Sequence, residues 1–279
     1  MFTKSRTSCS LVKLSFVCRT NALPGGKGFN QSIALTRAGV RVTHAGRIGP
    51  DGEWLRIRLV EEGVDVRPLE TTQAQPTGHA IIQVAPGGEN SILIHGGANQ
   101  TLDRRFVEHV FATAEDVDLV VLQNETNAVS QVLAAARQRG IPIAFNPAPM
   151  TAEVNDLPLG EVAILIVNKV EASQLVGEAA PEELCQRMAE QFPESLCVLT
   201  AGEQGVWAAR GSERWEQPAC CVEVVDTTAA GDTFLGFFLA EWLNSGSVPL
   251  ALKRGTQAAA ISVTRPGAAD SIPKRTEVV

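Results

Sequence analysis

The sequence predicts an α/β fold: a mostly parallel central sheet between layers of helix, with a small β lid. Three observations carry this. From residue 25 onward, short β-branched runs alternate with longer helical stretches. The segments Asp118–Leu122, Ile141–Phe145 and Val162–Val167 are nearly continuous apolar runs, as in strands buried on both faces. Two other strand patterns, His79–Val84 and Ser91–His95, flank the polar turn Ala85-Pro86-Gly87-Gly88-Glu89-Asn90. They read as a hairpin set between α/β units, and such an appendage often covers a site.

Taken in order, a helix over Lys27–Ala38 follows the glycine-rich Pro24-Gly25-Gly26. A strand over Arg41–Ala45 and a helix over Gly52–Glu62 come next, then the hairpin and a helix over Asp103–Thr113. The buried strand Asp118–Gln123 leads to a helix at Asn127–Arg139, and the strand Ile141–Phe145 to the strand Val162–Val167. A helix at Pro181–Gln191 precedes three β-branched or small-residue runs, Cys197–Thr200, Val206–Ala209 and Ala219–Val225. Helices Gly231–Leu243 and Pro249–Val263 complete the chain.

Composition narrows the class. The apolar share is 44% and the charged share 20%, enough apolar residues for a large core and too ordinary for a disordered or collagen-like chain. The formal net charge is −7, with no basic tail or run, which argues against a protein that grips nucleic acid through phosphates. No run of eighteen apolar residues is present to span a membrane. Cysteines stand at 9, 18, 185, 197, 220 and 221 without any C-x-x-C, and read as reduced, buried thiols of a cytoplasmic protein. Met1–Thr20 is basic, Ser-rich and free of acids. That composition resembles a transit peptide, but a wrong start site is the preferred reading.

The strongest local signal is Val224-Val225-Asp226-Thr227-Thr228-Ala229-Ala230-Gly231-Asp232-Thr233-Phe234. A hydrophobic run ends in an acid, small residues follow, and a helix opens at Gly231. Small residues admit a ligand to the backbone N–H groups, and a helix N-terminus favours an anion. Asp232, in the first turn, is placed to take a proton from an attacking hydroxyl. Taken alone, the segment equally fits an N-cap Asp on a tight turn. The second signal, Pro24-Gly25-Gly26-Lys27-Gly28-Phe29-Asn30-Gln31, is not a Walker A loop, because Gly28 stands where Ser or Thr belongs. Taken alone, it fits a flexible turn before a helix. The four histidines show no ligand spacing, and His79 and His95 fall on the lid.

Together and in this order, the two signals resemble the ribokinase (pfkB-type) carbohydrate kinase family, with its early G-G-K-G-x-N-Q and late D-T-x-A/G-A-G-D-T-F. Pro76-Thr77-Gly78, His95-Gly96-Gly97-Ala98-Asn99, Gln123-Asn124-Glu125, Asn146-Pro147-Ala148-Pro149, Asn168-Lys169-Val170-Glu171, Thr200-Ala201-Gly202-Glu203-Gln204-Gly205-Val206 and Val263-Thr264-Arg265-Pro266-Gly267-Ala268 extend the resemblance from about Pro24 to Pro273. It implies a three-layer α/β/α sandwich with a β lid, formed as one domain over 24–279 with the lid hairpin at about 76–98. It also implies ATP-dependent phosphorylation of D-ribose to D-ribose 5-phosphate.

The resemblance assigns roles residue by residue. Asp232 is the general base, and Ala229, Ala230 and Gly231 form an anion hole for the γ-phosphate. Gly26, Lys27, Asn30 and Glu125 hold the sugar. Asn168, Thr200, Gly202, Gly205 and Gln257 serve ATP, although relatives often carry His or Asn at the last position. Asn168 and Glu171 organise Mg²⁺ through water, and the same pair fits a helix cap. Asp226, Thr228, Ser262, Arg265, Gly267 and Ser271 surround K⁺, mostly through carbonyls. A homodimer through lid strands is implied as well.

One expected feature is missing. The family begins with a strand bearing G-S-x-N-x-D, whose Asp holds two ribose hydroxyls, and then a lid strand. The atypical segment 1–23 has neither, and no Asp precedes Asp51. A wrong start or a true loss would both produce this, with Leu11–Val17 as a replacement strand. The alternatives are therefore an impaired sugar-binding or regulatory homologue, or a kinase for another sugar or nucleoside. Phe29, where ribokinases often carry Ala, bears on the latter.

Overall fold

The computed structural model describes residues 23–84, 90–114 and 116–279. The segment 1–22, including the expected Leu11–Val17 strand, Cys9 and Cys18, lies outside them, as does the turn at 85–89. The chain order is α1 (Lys27–Arg37), β1 (Gly46–Ile48), α2 (Glu53–Glu61), β2 (Leu69–Thr71), β3 (His79–Val84), β4 (Asn90–His95) and α3 (Arg104–Thr113). It continues through β5 (Val120–Gln123), α4 (Val129–Gln138), β6 (Ile143–Asn146), β7 (Ile164–Asn168), α5 (Lys169–Val176) and α6 (Pro181–Gln191). The last elements are β8 (Leu196–Thr200), β9 (Val206–Arg210), β10 (Glu213–Gln217), α7 (Ala230–Ser245) and α8 (Val248–Val263).

Among the described residues, six strands form the central sheet in the order β10-β9-β8-β7-β6-β5. The four from β5 to β8 are parallel, and β9 and β10 are antiparallel to their neighbours. The period-two rule explains why their sequences are so apolar. On β7, Leu165 and Val167 face one layer, built with Leu133, Leu184 and Met188. Ile164 and Ile166 face the other, built with Phe234, Phe238 and Leu252. Helices cover both faces, which gives the expected three-layer α/β/α sandwich. No helix among the described residues is long and apolar enough to cross a membrane.

α1 and α7 cross at close range because α7 has no side chain at the crossing. A Cβ on Gly236 would stand 2.8 Å from the Ala34 carbonyl carbon and 2.9 Å from Leu35 N. This approach carries the first-motif helix onto the last-motif helix. The lid is the two-stranded antiparallel ribbon β3–β4, paired from His79↔His95 to Val84↔Asn90. Its base is tight: a Cβ on Gly78 would come within 2.7 Å of Asn99 Nδ2.

Several expected elements are corrected. Ala219–Val225 is not a strand: it is exposed coil, tied at its end by Val225 N–H and Asp226 N–H, which both donate to Val263 O at 2.8 and 3.1 Å. β9 finds its partner through a turn at Gly211 (φ 51), in the charged Glu213-Arg214-Trp215-Glu216-Gln217. A sheet edge tolerates such charge. Among the described residues Arg41–Ala45 makes one bridge, Thr43 to Asp65, and the strand proper begins at Gly46. α5, absent from the expected helices, is short and is fixed by the Asn168/Glu171 capping box. Cys185 and Cys197 are buried, with thiol pKa values pushed up to about 12 by burial. Cys220 and Cys221 are exposed, contrary to the expectation of buried thiols.

Candidate active site

The site lies where α1 and α7 begin, at the carboxyl ends of the parallel strands, the edge at which open α/β sheets bind ligands. Gly26 takes φ 93, open to glycine and strained for other residues, and turns the chain into α1. The first turn of α1 then presents Lys27, Asn30 and Gln31. α7 is entered through Ala229, a non-glycine residue in the left-handed region at φ 59. That kink opens the first turn of α7. A Cβ added to Gly231 would meet nothing within 4 Å, so the helix N-terminus faces open space.

Asp232 is buried in that first turn with a 6% exposure, too little for a carboxylate that water alone is to solvate. Its partners come from α1. Asn30 Nδ2 donates to Oδ2 and Gln31 Nε2 donates to Oδ1, each at 2.9 Å. Gln31 is held in turn by Gln123 Nε2, which donates to Gln31 Oε1 at 2.6 Å. Burial pushes the Asp232 pKa up, while the Lys27 charge and the two amide donors pull it down. Asn30 Oδ1 is buried without a hydrogen-bond partner.

The Lys27 backbone N–H donates to Glu125 Oε2 at 2.9 Å. Burial raises the Glu125 pKa, opposed by that bond and by the Lys27 ammonium. Glu171 behaves alike: burial raises it, and the Asn168 backbone bond and Lys27 lower it. Thus one half-buried ammonium acts on two buried carboxyls, Asp232 and Glu171, and on the half-buried Glu125. The site is a set of acids held near the Lys27 cation and a helix N-terminus, which suits proton removal beside a bound anion.

Asn168 ends β7 and Thr200 ends β8, and the two are register partners. Asn168 Oδ1 accepts from Glu171 N–H and Glu171 Oε2 accepts from Asn168 N–H, both at 2.9 Å. Gly202 (φ 58) and Gly205 (φ 104) shape the turn after Thr200. A Cβ on Gly205 would lie 2.6 Å from Gln217 O. Gln257 is half-buried on α8.

Asp226 ties two loops. Its Oδ1 accepts from Thr228 N–H at 2.9 Å and from the Thr228 hydroxyl at 2.6 Å, and its Oδ2 accepts from Gly267 N–H at 2.9 Å. These bonds hold its pKa below the usual carboxylate range. Ser262 and Ser271 are fully buried, and their hydroxyls donate to Ala259 O and Ala268 O. The Arg265 guanidinium pairs instead with Glu277 at 2.6 Å. The structure therefore joins Asp226, Thr228 and Gly267 directly, and leaves the Arg265 side chain engaged elsewhere.

Three features escaped the sequence reading. Gln31 and Gln123 form a relay to Asp232, and the available signals were the positions of Gln31 beside Asn30 and of Gln123 two residues before Glu125. The Ala230 N–H closes the tight turn onto Thr227 O at 3.2 Å, so it is already bonded. His44 is no bystander: its Nδ1 lies 2.8 Å from the Ser32 hydroxyl beneath α1, and burial pushes its pKa down to about 4.

Comparison with known proteins gives consistent results. A profile of pfkB family carbohydrate kinases matches residues 16–275. The chain is 37% identical over 263 residues to a ribokinase of Haemophilus influenzae, covering 91% of this chain and 86% of that protein. It is 34% identical over 260 residues to a ribokinase of Bacillus subtilis, covering 92% and 86%. Among solved structures, the ribokinase of Thermotoga maritima superposes with a TM-score of 0.84 at 31% identity, covering 95% of this chain and 90% of the other. The ribokinase of Arabidopsis thaliana, complexed with ribose and ATP, gives 0.83 at 29% identity, covering 95% and 91%. With matching motifs joined in one buried site and a family match over most of its length, the chain belongs to the pfkB family of carbohydrate kinases.

Proposed function

We infer that this chain is an ATP-dependent ribokinase, converting D-ribose to D-ribose 5-phosphate. The observation that carries the reading is the clasp of Asn30 and Gln31 on Asp232 at the open N-terminus of α7. Relatives named ribokinase, at 33–37% identity over about nine-tenths of the chain, supply the substrate class.

In this reading the sugar lies against α1. Gly26 admits its hydroxyls close to the backbone, Asn30 Oδ1 accepts from one of them, and Lys27 and Glu125 hold others. Asp232 takes the proton of the attacking hydroxyl, and its raised pKa strengthens it as a base. Negative charge builds on the transferred phosphoryl oxygens, and the amides of Ala229 and Gly231 meet it. Ala230 joins them by exchanging its bond to Thr227 O. Thr200, Gly202, Gly205 and Gln257 line the nucleotide side.

The Asn168–Glu171 pair fits a magnesium ion bound through water. It offers hard oxygen donors at the carboxyl edge, and the described residues contain no cluster of three His, Cys, Asp or Glu that would form a dedicated cage. Magnesium would neutralise phosphate oxygens there. A monovalent cation such as K⁺ fits between the loops that Asp226 ties. The carboxylate of Asp226 is occupied by three donors, so the carbonyls of Asp226, Thr228, Ser262, Arg265 and Gly267, with Ser271, would be the ligands. Exposed Ile81, Leu93 and Ile94 on the lid support a homodimer through lid strands. Unpaired, exposed Cys220 and Cys221 support a cytoplasmic location.

A second reading, a kinase for a related sugar, rests on one observation. The chain is also 30% identical over 264 residues to a deoxyribokinase of Salmonella typhi, covering 89% of this chain and 84% of that protein. ADP release measured with ribose, deoxyribose, fructose and nucleosides decides between them. Ribose should give the highest kcat/KM. Tight sugar binding without ADP release would identify a regulatory homologue instead.

A further inference from the structure

We propose that His79 and His95 form a two-imidazole site for a divalent transition metal, with Zn²⁺ as the best fit, at the base of the lid. The two residues are register partners, the first of β3 and the last of β4. Their ring centroids lie 5.1 Å apart at an interplanar angle of 49°. Two imidazoles on one tetrahedral ion, with Zn–N near 2.0–2.1 Å, place their centroids about 5 Å apart. The centroid separation already present therefore matches that of two rings sharing an ion.

The orientation of His79 agrees. Its Nδ1 lies 3.0 Å from Thr77 O, so this nitrogen carries the proton and donates to the carbonyl. Nε2 then keeps its lone pair. A ligand histidine usually donates its other ring N–H in this way, which fixes the tautomer and makes the ligating nitrogen more basic. Thr77 is itself anchored: its N–H and hydroxyl donate to Asp51 Oδ1 at 2.8 and 2.9 Å. The Asp51 carboxylate interacts electrostatically with the His79 ring. Both histidines are exposed, so water can fill the remaining coordination positions. Imidazole nitrogen suits zinc, copper and nickel and does not suit the hard Mg²⁺ that accompanies ATP, so the site is separate in chemistry from the phosphate site.

The test is a calorimetric titration of tag-free full-length protein with zinc chloride in excess MgCl₂, with the melting temperature followed in parallel. One saturating equivalent is expected, together with a zinc-dependent rise in melting temperature. Both should vanish in His79→Ala and in His95→Ala, and both should persist in His109→Ala on α3 and in a Cys220→Ser/Cys221→Ser variant. His79→Gln and His95→Gln keep a polar side chain and give the same reading should an alanine variant fail to fold. The proposal is overturned if no saturable binding occurs, if binding survives loss of both lid histidines, or if it disappears with the cysteine pair.

Discussion

Asn30 and Asp232 lie 202 residues apart in sequence, yet Asn30 Nδ2 donates to Asp232 Oδ2 at 2.9 Å inside the protein. The bond joins the glycine-rich motif at the start of α1 to the small-residue motif at the start of α7. It fixes the carboxyl against α1 and leaves Asn30 Oδ1 a buried acceptor without a hydrogen-bond partner.

Asp232→Asn should reduce kcat by about 10²–10⁴-fold, the usual contribution of general-base catalysis. Nucleotide affinity should stay nearly unchanged, because the amide keeps the size of the side chain and the turn at Ala229 is untouched. Asn30 can present its unpartnered Oδ1 to the new amide, so the fold should survive. Steady-state kinetics and ATP titration of the variant check both parts. Turnover within a few-fold of the parent would remove Asp232 from the role.

The same carboxyl predicts the pH behaviour. Burial raises the Asp232 pKa above its ordinary 3.8. The acid limb of kcat/KM should therefore have its midpoint above that value, and activity should fall as the base is protonated. Stability runs the other way. A carboxyl whose pKa is raised on folding stabilises the protein while protonated, and that contribution is lost as pH rises through the folded pKa. Asp232→Asn should thus melt higher than the parent at neutral pH, with the gap closing toward the unfolded aspartate value of about 4. A gap independent of pH would contradict the burial argument.

How much of this was legible in the sequence follows the same physics. Strands such as Ile164–Asn168 are buried on both faces, so their apolar runs declare them. The Asn168/Glu171 cap was visible because its chemistry is local, three residues wide. Glu213–Gln217 was hidden because an edge strand needs no apolar pattern, and the apolar Ala219–Val225 misled because no described strand pairs with it. The motifs showed which residues gather at the site. They could not show that Gln123 supports Gln31 across 92 residues, since that relation exists only in the packed state.

Asn30→Ala should lower kcat/KM for the sugar by roughly 10–100-fold, the cost of a hydrogen bond to a charged group. It removes both a donor to Asp232 and the free acceptor Oδ1. ATP affinity should not follow, because the side-chain hydrogen bond of Asn30 goes to Asp232 and not to Asn168, Thr200 or Gln257. A parallel loss of ATP affinity in titrations would show that α1 had moved as a whole.

Two glycines of α7 should separate stability from catalysis. Gly236→Ala drives a methyl into the backbone of Ala34 and Leu35 and should cost roughly 1–3 kcal/mol, as overpacking does. Gly231→Ala meets no protein atom, so stability should stay within about 0.5 kcal/mol. Its methyl nevertheless enters the space where phosphate would approach the amides, and kcat should fall. Urea unfolding and kinetics on both variants test the contrast, and equal destabilisation would refute it.

The last prediction concerns the loop that Asp226 fastens. Its three hydrogen bonds hold Thr228, one residue before the left-handed Ala229, to Gly267 on the loop after α8. A monovalent cation seated among their carbonyls would stiffen the same junction and so align the amides at the helix N-terminus. Activity should therefore rise when K⁺ replaces a bulky organic cation at constant ionic strength. Asp226→Ala should lower kcat and blunt that response, since the carbonyls lose their anchor. The low pKa of Asp226 adds a stability signature: its contribution is present above the unfolded aspartate pKa and is lost as pH falls through the lower folded value. The parent should lose its melting advantage over Asp226→Ala on acidification, the opposite slope to the Asp232 pair. Activity indifferent to the monovalent ion in the parent would exclude the cation from the junction and leave Asp226 a purely structural tie.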